Sequence, residues 1–560
     1  MIGISAHRSF HFRCLLLPVM MAAGLAFLHG QDTEAPFGFP GQRGCTSAMV
    51  GRLATADGSV MTSHACDGFY RTWMTISPHR INKPDSMNAI YRGRLGTKGP
   101  LDRTRLKLMG EVPELEESYA FLNTAYPAVN EHQLAMGETS LFVKPQLQNP
   151  DGGYFQIEEL QRLMLERCRT AREEIRLADE LTKRYGYIDG GECLTIADPK
   201  EVWHFEIAGA TKKHVGAVWA AVRIPDDHVG ASANLSRIGE LNLDDPDDFM
   251  ASENVSAVAE EMGWWKRESG KPFNFYKAYA PGRNYTLREW RILSLAAPSL
   301  KLDPDAAELP FSVKAEHKIS VREVMAWFRD TCENTPFEKT RNLIIKDLKG
   351  KQMVCPDVSP WMSWEMTRLL TALKPGCLPY SYIIPSNGCC YSTVIQCRGW
   401  LPDPVGGLVW LGFDNPAHGA RMPIFCGITE LPPSFAVDGQ HGFTMESASW
   451  AFRRFSRLAT VCWGKTRTLV DSAIRQYEDQ AFAELPSIEQ IAEALYKKDP
   501  ESARAFLTSY SGNFTRAVTQ RYWELGDKIW ELLAYGFMFS PEQINTFRGL
   551  GTVESNPANK

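Results

Sequence analysis

The sequence has no long run of lysine or arginine, and its formal net charge is only −5 over 560 residues. Nucleic-acid-binding proteins carry a basic patch or stripe, so no nucleic-acid partner is expected. Hydrophobic residues make up 44% of the chain and charged residues 23%, which is typical of a soluble globular protein and not of a disordered one. The length suffices for one large domain or for two ordinary ones.

The 13 cysteines include no C-x-x-C pair, so the usual spacing of a structural zinc site is missing. Also missing are the G-x-S-x-G elbow, the P-loop, the H-E-x-x-H motif and the dinucleotide fingerprint. The 12 histidines are dispersed. We therefore expect no cofactor and no metal, and a covalent hydrolase is favoured by elimination. Which cysteines pair, if any, is left open by the sequence.

An apolar stretch lies at the N-terminus, between Cys14 and Phe27. It is too short to span a bilayer and has the length of a signal-peptide core. A buried helix is the alternative, which the polar segment 31–44 disfavours. We predict a signal peptide over 1–30, a leader over 31–44 and export to the periplasm or the medium. No later apolar stretch is long enough to cross a membrane, so stable membrane insertion is not expected after the signal is removed.

Strand-like runs are joined by turn signals at two places. Asp57-Gly58 and Asp198-Pro199 each separate two β-compatible runs, which predicts two hairpins. The predicted strands cover 45–51, 60–64, 194–198, 201–207, 219–224 and 406–412.

Helical periodicity occupies most of the remaining chain. The predicted helices cover 156–185, 321–330, 450–477 and 488–537, the last with breaks at Pro500 and at 509–512. Strands with long helices between and after them predict an α+β domain with a helical C-terminal part.

Cys45 is the candidate nucleophile. A thiol attacks only as the thiolate, so it needs a base. A cut between Gly44 and Cys45 would place an α-amine on the same residue, and its pKa of about 7.7–8.0 suits it to accept the thiol proton and return it to the leaving amine. An ordinary cysteine in a strand is the alternative.

Several short blocks extend the pattern that begins at Cys45. They are Cys45-Thr46-Ser47, Ala54 to Ser59, Asp67-Gly68, Val129-Asn130-Glu131, Met136 to Thr139, Gly191-Glu192, Glu201-Val202-Trp203, Ala233-Asn234 with Arg237-Ile238-Gly239, and Arg288 to Arg291. Their order and spacing resemble the N-terminal-nucleophile cysteine dipeptidases of the dipeptidase A and secernin type, which are distantly related to penicillin V acylase and bile-salt hydrolase. The resemblance runs from Cys45 to about Arg457.

This resemblance implies a four-layer αββα sandwich with the nucleophile at the start of an inner strand. It implies a hydrolase domain over 45–460, a helical region packed on it over 461–548 and a loose tail over 549–560. The implied reaction is hydrolysis of a small amide, most often the peptide bond of a dipeptide. Small peptides are then the expected partners, and a homo-oligomer is left open.

The resemblance also implies roles for individual residues. Cys45 would be nucleophile and amine base, Asp67 would lie near its amine, and Asn234 would help to bind the oxyanion with a backbone N–H. Arg288 would be the active-site arginine, although Arg291 competes for that alignment.

Each of these positions also has a structural interpretation. Asp67 before Gly68 fits a turn, Asn234 fits a turn or a glycosylation sequon, and Arg288 fits an ion pair. The candidate substrate-binding residues are His64, Asn130, Glu131 and Thr139, with Ser140 beside them.

His64 departs from the family pattern. Many relatives carry an arginine three residues before the aspartate, whereas this chain has His64 before Asp67. Arginine is always charged, but an unperturbed histidine changes its charge close to neutral pH. The departure predicts a difference in substrate or in pH range.

Two other functions compete with the dipeptidase. An N-acyl amide hydrolase would need a hydrophobic groove, whereas a dipeptidase would need a pocket for the free α-amine of its substrate. A non-catalytic, secernin-like binding protein is the third possibility, which the presence of Cys45 disfavours.

Overall fold

The computed structural model describes residues 44–347, 349–379 and 381–535. The predicted signal peptide, the leader up to residue 43 and the predicted tail over 549–560 lie outside the described residues.

The described residues form many short strands. They are β1 Ser47–Val50, β2 Val60–Asp67, β3 Thr75–Ser77, β4 Arg80–Ile81, β5 Met87–Arg92, β6 Lys107–Pro113, β7 Glu117–Ser118, β8 Phe121–Asn123, β9 Ala135–Leu141, β10 Gly191–Ala197, β11 Val202–Gly209, β12 Ala217–Ile224, β13 His228–Ser232, β14 Phe249–Ala251, β15 Ser312–Lys314, β16 Ile344–Lys346, β17 Gln352–Val354, β18 Cys389–Cys397, β19 Leu408–Phe413 and β20 Met422–Phe425.

Helices lie between these strands and after them. They are α1 Ile157–Arg167, α2 Ala171–Tyr185, α3 Ala257–Glu261, α4 Phe275–Tyr279, α5 Leu287–Ala296, α6 Val321–Trp327, α7 Trp364–Leu373, α8 Asp403–Gly406, α9 Ala448–Val461, α10 Trp463–Tyr496 and α11 Pro500–Ala534. The α+β class is confirmed.

Two antiparallel sheets form the centre. The larger has seven strands in the order β15-β13-β1-β2-β18-β19-β20, and the smaller has five in the order β14-β12-β11-β10-β9. Both predicted hairpins are confirmed, because β1 pairs with β2 and β10 pairs with β11 in antiparallel fashion. The predicted strands at 219–224 and 406–412 correspond to β12 and β19.

Small side chains allow the two sheets to approach each other closely. The hydroxyl groups of Ser47 and Thr195 lie 2.6 Å apart, and those of Thr139 and Ser232 lie 2.6 Å apart. A Cβ added to Gly137 would come within 2.1 Å of the Ser63 carbonyl oxygen. Only glycine fits there, because that distance is far inside van der Waals contact. The nucleophile candidate at the start of β1 therefore lies at the boundary of two buried sheets.

The helix predictions need correction at four places, one of which is the interval 478–487 between two predicted helices, since α10 runs through it. The helix expected over 156–185 is two helices, and α2 begins at a capping box formed by Thr170 and Glu173. The helix expected over 450–477 is interrupted at Cys462. No break occurs at 509–512, because α11 runs through those residues. Pro500 is the first residue of α11. Proline is tolerated there because the backbone N–H that it lacks would have no partner within the helix.

Aromatic pairs join the C-terminal helices to the larger sheet and to one another. Trp410 of β19 stacks on Phe482 of α10 with ring centroids 4.3 Å apart, and Phe452 of α9 stacks on Tyr522 of α11 at 4.3 Å. Within the described residues, no helix has the length and apolarity needed to cross a membrane.

A buried carboxyl group in α1 gives a testable pH dependence of stability. Burial raises the pKa of Glu158 to about 8, and neither of its oxygens has a hydrogen-bond partner among the described residues. The unfolded chain loses this proton near pH 4.5 and the folded chain near pH 8, so wild-type stability falls as the pH rises between those values. We expect Glu158→Gln to match the wild type near pH 4 and to be more stable by about 5 kcal/mol at pH 9.

Urea unfolding at both pH values measures this difference. Glu180→Gln is the matched control, since Glu180 is exposed on α2. Equal offsets between Glu158→Gln and the wild type at both pH values would show that Glu158 ionises normally in the folded chain.

Candidate active site

The pairing of β1 with β2 places Cys45 beside Cys66. Thr46 and Ala65 exchange both backbone hydrogen bonds, at 3.2 and 2.8 Å. Residues next to such a pair form a non-hydrogen-bonded pair, whose side chains lie closest together. Continuing the register therefore sets Cys45 opposite Cys66, and Gly44 opposite Asp67.

The Cys45 thiol is surrounded by groups that affect its ionisation. Its pKa is lowered, first because the Cys66 thiol donates a hydrogen bond to it and also because His64 lies beside it. Burial and the carboxyl group of Glu138 act in the opposite direction. Burial raises the pKa of the Cys66 thiol, which keeps it protonated as a donor. The arrangement favours a thiolate on Cys45.

Arg288 connects the residues around the Gly44–Cys45 peptide. It is buried at the start of α5, and its Nη1 donates to the carbonyl oxygens of Gly44 and Cys45, both at 2.7 Å. The same nitrogen donates to Thr46 Oγ1 at 2.9 Å. Arg291, the competing position, instead forms two 2.8 Å hydrogen bonds with Asp330. Of the two arginines, Arg288 is thus the one that contacts residue 45.

Asn234 lies on the other side of Arg288. Its φ angle is 73°, in the left-handed region that asparagine tolerates better than most residues. Its Oδ1 accepts from Arg288 Nη2 at 2.7 Å, and its Nδ2 donates to the Ser140 carbonyl oxygen at 2.8 Å. A Cβ added to Gly44 would lie 2.1 Å from the same Oδ1. A larger residue at position 44 would therefore have to displace the Asn234 side chain from its hydrogen bonds.

Asp67 is a buried carboxyl group near the same peptide. Burial raises its pKa to about 7, which the charge of Arg288 and a hydrogen bond from Cys389 partly offset. Its Oδ1 has no hydrogen-bond partner among the described residues.

Two further carboxyl groups lie beside the thiol. Glu138 Oε2 is 3.3 Å from Nε2 of His64, and a side-chain hydrogen bond joins Glu138 to Glu192. Burial raises the pKa of Glu138 to about 7 and that of Glu192 well above its usual range. Within the described residues, neither forms an ion pair with lysine or arginine, and Oε2 of each lacks a hydrogen-bond partner.

The remaining predicted residues have other contacts. Asn130 donates twice, to the Leu165 and Cys168 carbonyl oxygens, and its Oδ1 accepts from the backbone N–H groups of His132 and Leu134. These four bonds use its full capacity.

Glu131 and Thr139 are likewise engaged away from the thiol. Glu131 bonds His79 and forms an ion pair with Arg504 at 2.6 Å, and Thr139 bonds Ser232 between the sheets. The contacts of Asn130, Glu131 and Thr139 therefore give no support to the prediction that they bind substrate.

Sequence reasoning assigned no role to Cys66, Glu138 or Glu192. All three belong to or adjoin the blocks quoted above, but their meeting depends on two different strand pairings. The Asp57-Gly58 turn could not have located Cys66, because the observed register sets Val50 opposite Met61, whereas a two-residue turn at 57–58 would set Val50 opposite position 65.

The comparisons with known proteins show the family of the chain. The family model described as Peptidase family C69 matches residues 44–476. The probable dipeptidase of Latilactobacillus sakei is 24% identical over 446 residues, covering 75% of this chain and 82% of the relative. The probable dipeptidase B of Lactococcus lactis is 26% identical over 418 residues, covering 70% and 76%.

A third relative is the probable dipeptidase B of Streptococcus pyogenes serotype M1, 22% identical over 479 residues, covering 82% of this chain and 87% of the relative. The family match begins at Gly44, immediately before the candidate nucleophile. The chain belongs to peptidase family C69, the cysteine dipeptidases that its sequence blocks resemble.

Proposed function

We propose that this protein is an exported cysteine dipeptidase that becomes active when the chain is cut between Gly44 and Cys45. The Cys45 thiolate attacks the carbonyl carbon of a dipeptide, and the amine leaves with a proton from the Cys45 α-ammonium. Water then hydrolyses the thioester. Asn234 and a backbone N–H stabilise the oxyanion, and Asp67 holds the α-ammonium.

The proposed fold is the four-layer αββα sandwich of N-terminal-nucleophile hydrolases. Hydroxyl pairs between the two central sheets, helices α5 and α9 against the larger sheet, and helix α2 against β11 and β12 of the smaller sheet support that arrangement. The finding that the Gly44 and Cys45 carbonyl oxygens share one donor, Arg288 Nη1, supports cleavage by the chain itself.

The main observation in favour of a dipeptide substrate is the buried carboxyl pair Glu138 and Glu192. Burial raises the pKa of both carboxyl groups, and no lysine or arginine among the described residues pairs with them, so a cation that enters the site would stabilise the ionised form. The α-ammonium of a dipeptide supplies that charge, whereas an N-acyl substrate does not. The pair therefore favours a dipeptidase over an acylase.

Glu138→Gln tests this proposal. We expect kcat/KM for dipeptides to fall about 100-fold, mainly through KM, because one partner of a buried charge pair is removed. The preference for a dipeptide over its N-acetyl derivative is expected to fall with it. Steady-state kinetics on both substrates measure the two effects.

Glu158→Gln is the matched control, since it makes the same change at a buried carboxyl group of α1. If wild-type protein prefers the N-acetylated substrate, the acylase alternative replaces the dipeptidase. If neither substrate is cleaved by a chain that begins at Cys45, the non-catalytic alternative is favoured.

A further inference from the structure

Three metal-ligand side chains meet at the nucleophile. Cys45, His64 and Cys66 each offer one ligand atom, and these atoms all lie within 4.8 Å of one another. All three residues are buried, with at most 2% of their surface exposed. Two thiols and an imidazole are the ligands preferred by zinc and similar cations.

The backbone fixes this cluster. Cys66 and His64 belong to β2, and Cys45 enters β1 through the paired Thr46. A tetrahedral ion at about 2.3 Å from sulfur and about 2.0 Å from nitrogen needs ligand atoms less than about 4 Å apart. Ligand atoms within 4.8 Å of one another need to approach by at most about 1 Å to reach that spacing.

We propose that Cys45, His64 and Cys66 bind one thiophilic divalent cation, of which Zn²⁺ is the type, and that this ion reversibly blocks the nucleophile. Each thiol that is still protonated loses its proton to solvent, the aqueous ion gives up water ligands, two metal–sulfur bonds and one metal–nitrogen bond form, and no electron is transferred. When the Cys45 sulfur is bound in this way, its lone pair is donated to the metal and cannot attack a carbonyl carbon.

The fourth ligand rests on the proposed cleavage before Cys45. An N-terminal cysteine chelates through its α-amine and its thiolate in a five-membered ring. The cut that creates the general base would therefore also complete a four-coordinate site. The same amine cannot accept a proton while it binds metal, so the ion removes both nucleophile and base.

Cobalt(II) is the probe, because it replaces Zn²⁺ in tetrahedral sites and shows a sulfur-to-cobalt charge-transfer band. The full-length expressed protein is reduced with a phosphine, treated with chelator and titrated with Co²⁺ without oxygen, and its N-terminus is identified by intact mass. We expect one Co²⁺ per chain, displacement by Zn²⁺ and loss of dipeptide hydrolysis at the same stoichiometry. Chelator is expected to restore activity.

Cys66→Ala and His64→Gln are expected to weaken Co²⁺ binding at least about 100-fold. Cys397→Ala, which removes another buried thiol of the same sheet, is the matched control and should bind Co²⁺ as the wild type does. An absent band, or a band unchanged in Cys66→Ala, overturns the inference. If the band persists unchanged in a chain still joined to Gly44, the α-amine is not the fourth ligand.

The two proposals fail in different ways. A protein that hydrolyses dipeptides in chelator but shows no charge-transfer band refutes the metal site and leaves the dipeptidase standing. A protein that binds Co²⁺ through Cys66 but never hydrolyses dipeptides refutes the function and leaves the metal site standing.

Discussion

Cys45→Ala is expected to reduce dipeptide hydrolysis by about 10³- to 10⁶-fold, since removal of a covalent nucleophile leaves only binding and oxyanion stabilisation. The thiol is held by the donor Cys66 and by His64, which together favour its thiolate. Cys45→Ser is expected to lose nearly as much, because these neighbours do not lower the pKa of a hydroxyl group far enough to ionise it. The loss of activity is measured as the rate at which a dipeptide releases its amino acids.

The variant must be produced in the processed form, beginning at residue 45, so that a failure of processing is not mistaken for a failure of chemistry. Cys397→Ala is the control for the removal of a buried thiol and is expected to keep wild-type kcat/KM. Retention of a tenth or more of the wild-type activity by Cys45→Ala would mean that another residue is the nucleophile. Mass analysis of wild-type protein stopped during turnover should show the acyl group on the peptide that contains Cys45.

Local patterns were sufficient for the hairpins of the fold. Asp57-Gly58 between two β-compatible runs predicted β1 and β2, and Asp198-Pro199 predicted β10 and β11, because a turn signal between two such runs is typical of neighbouring antiparallel strands. The same patterns misplaced helix ends. Thr170 starts a new helix through a capping box that resembles ordinary helical sequence, and Ser511 continues α11 although serine is a weak helix former.

The groups around the thiol required contacts that no local pattern contains. Glu138 and Glu192 meet Cys45 only because β9 and β10 pack against the β1–β2 hairpin. Arg288 lies 243 positions from Cys45 in sequence, yet it donates to the carbonyl oxygen of that residue. Such meetings depend on the packing of whole sheets, so the sequence could suggest the nucleophile but could not supply the charge that surrounds it.

The position of Arg288 gives a second large effect, on maturation. Arg288→Lys is expected to slow cleavage between Gly44 and Cys45 by about 10²- to 10³-fold, the usual loss when a donor to a developing oxyanion is removed. Arg288 donates to the Gly44 carbonyl oxygen, which becomes the oxyanion when the Cys45 thiolate attacks. Lysine keeps the positive charge but lacks the fork that holds Gly44, Cys45 and Asn234 together.

Intact mass and N-terminal sequencing over time measure this cleavage. Arg291→Lys is the matched control, because Arg291 lies on the same helix and pairs with Asp330. Gly44→Ala is expected to block cleavage independently, since its Cβ would lie 2.1 Å from Asn234 Oδ1 and displace the scissile peptide. If the Arg288→Lys and Arg291→Lys precursors are both cut before Cys45 as rapidly as the wild type, Arg288 does not take part in the cleavage. If the purified and diluted wild-type precursor stays intact, an external enzyme makes the cut and self-processing must be abandoned.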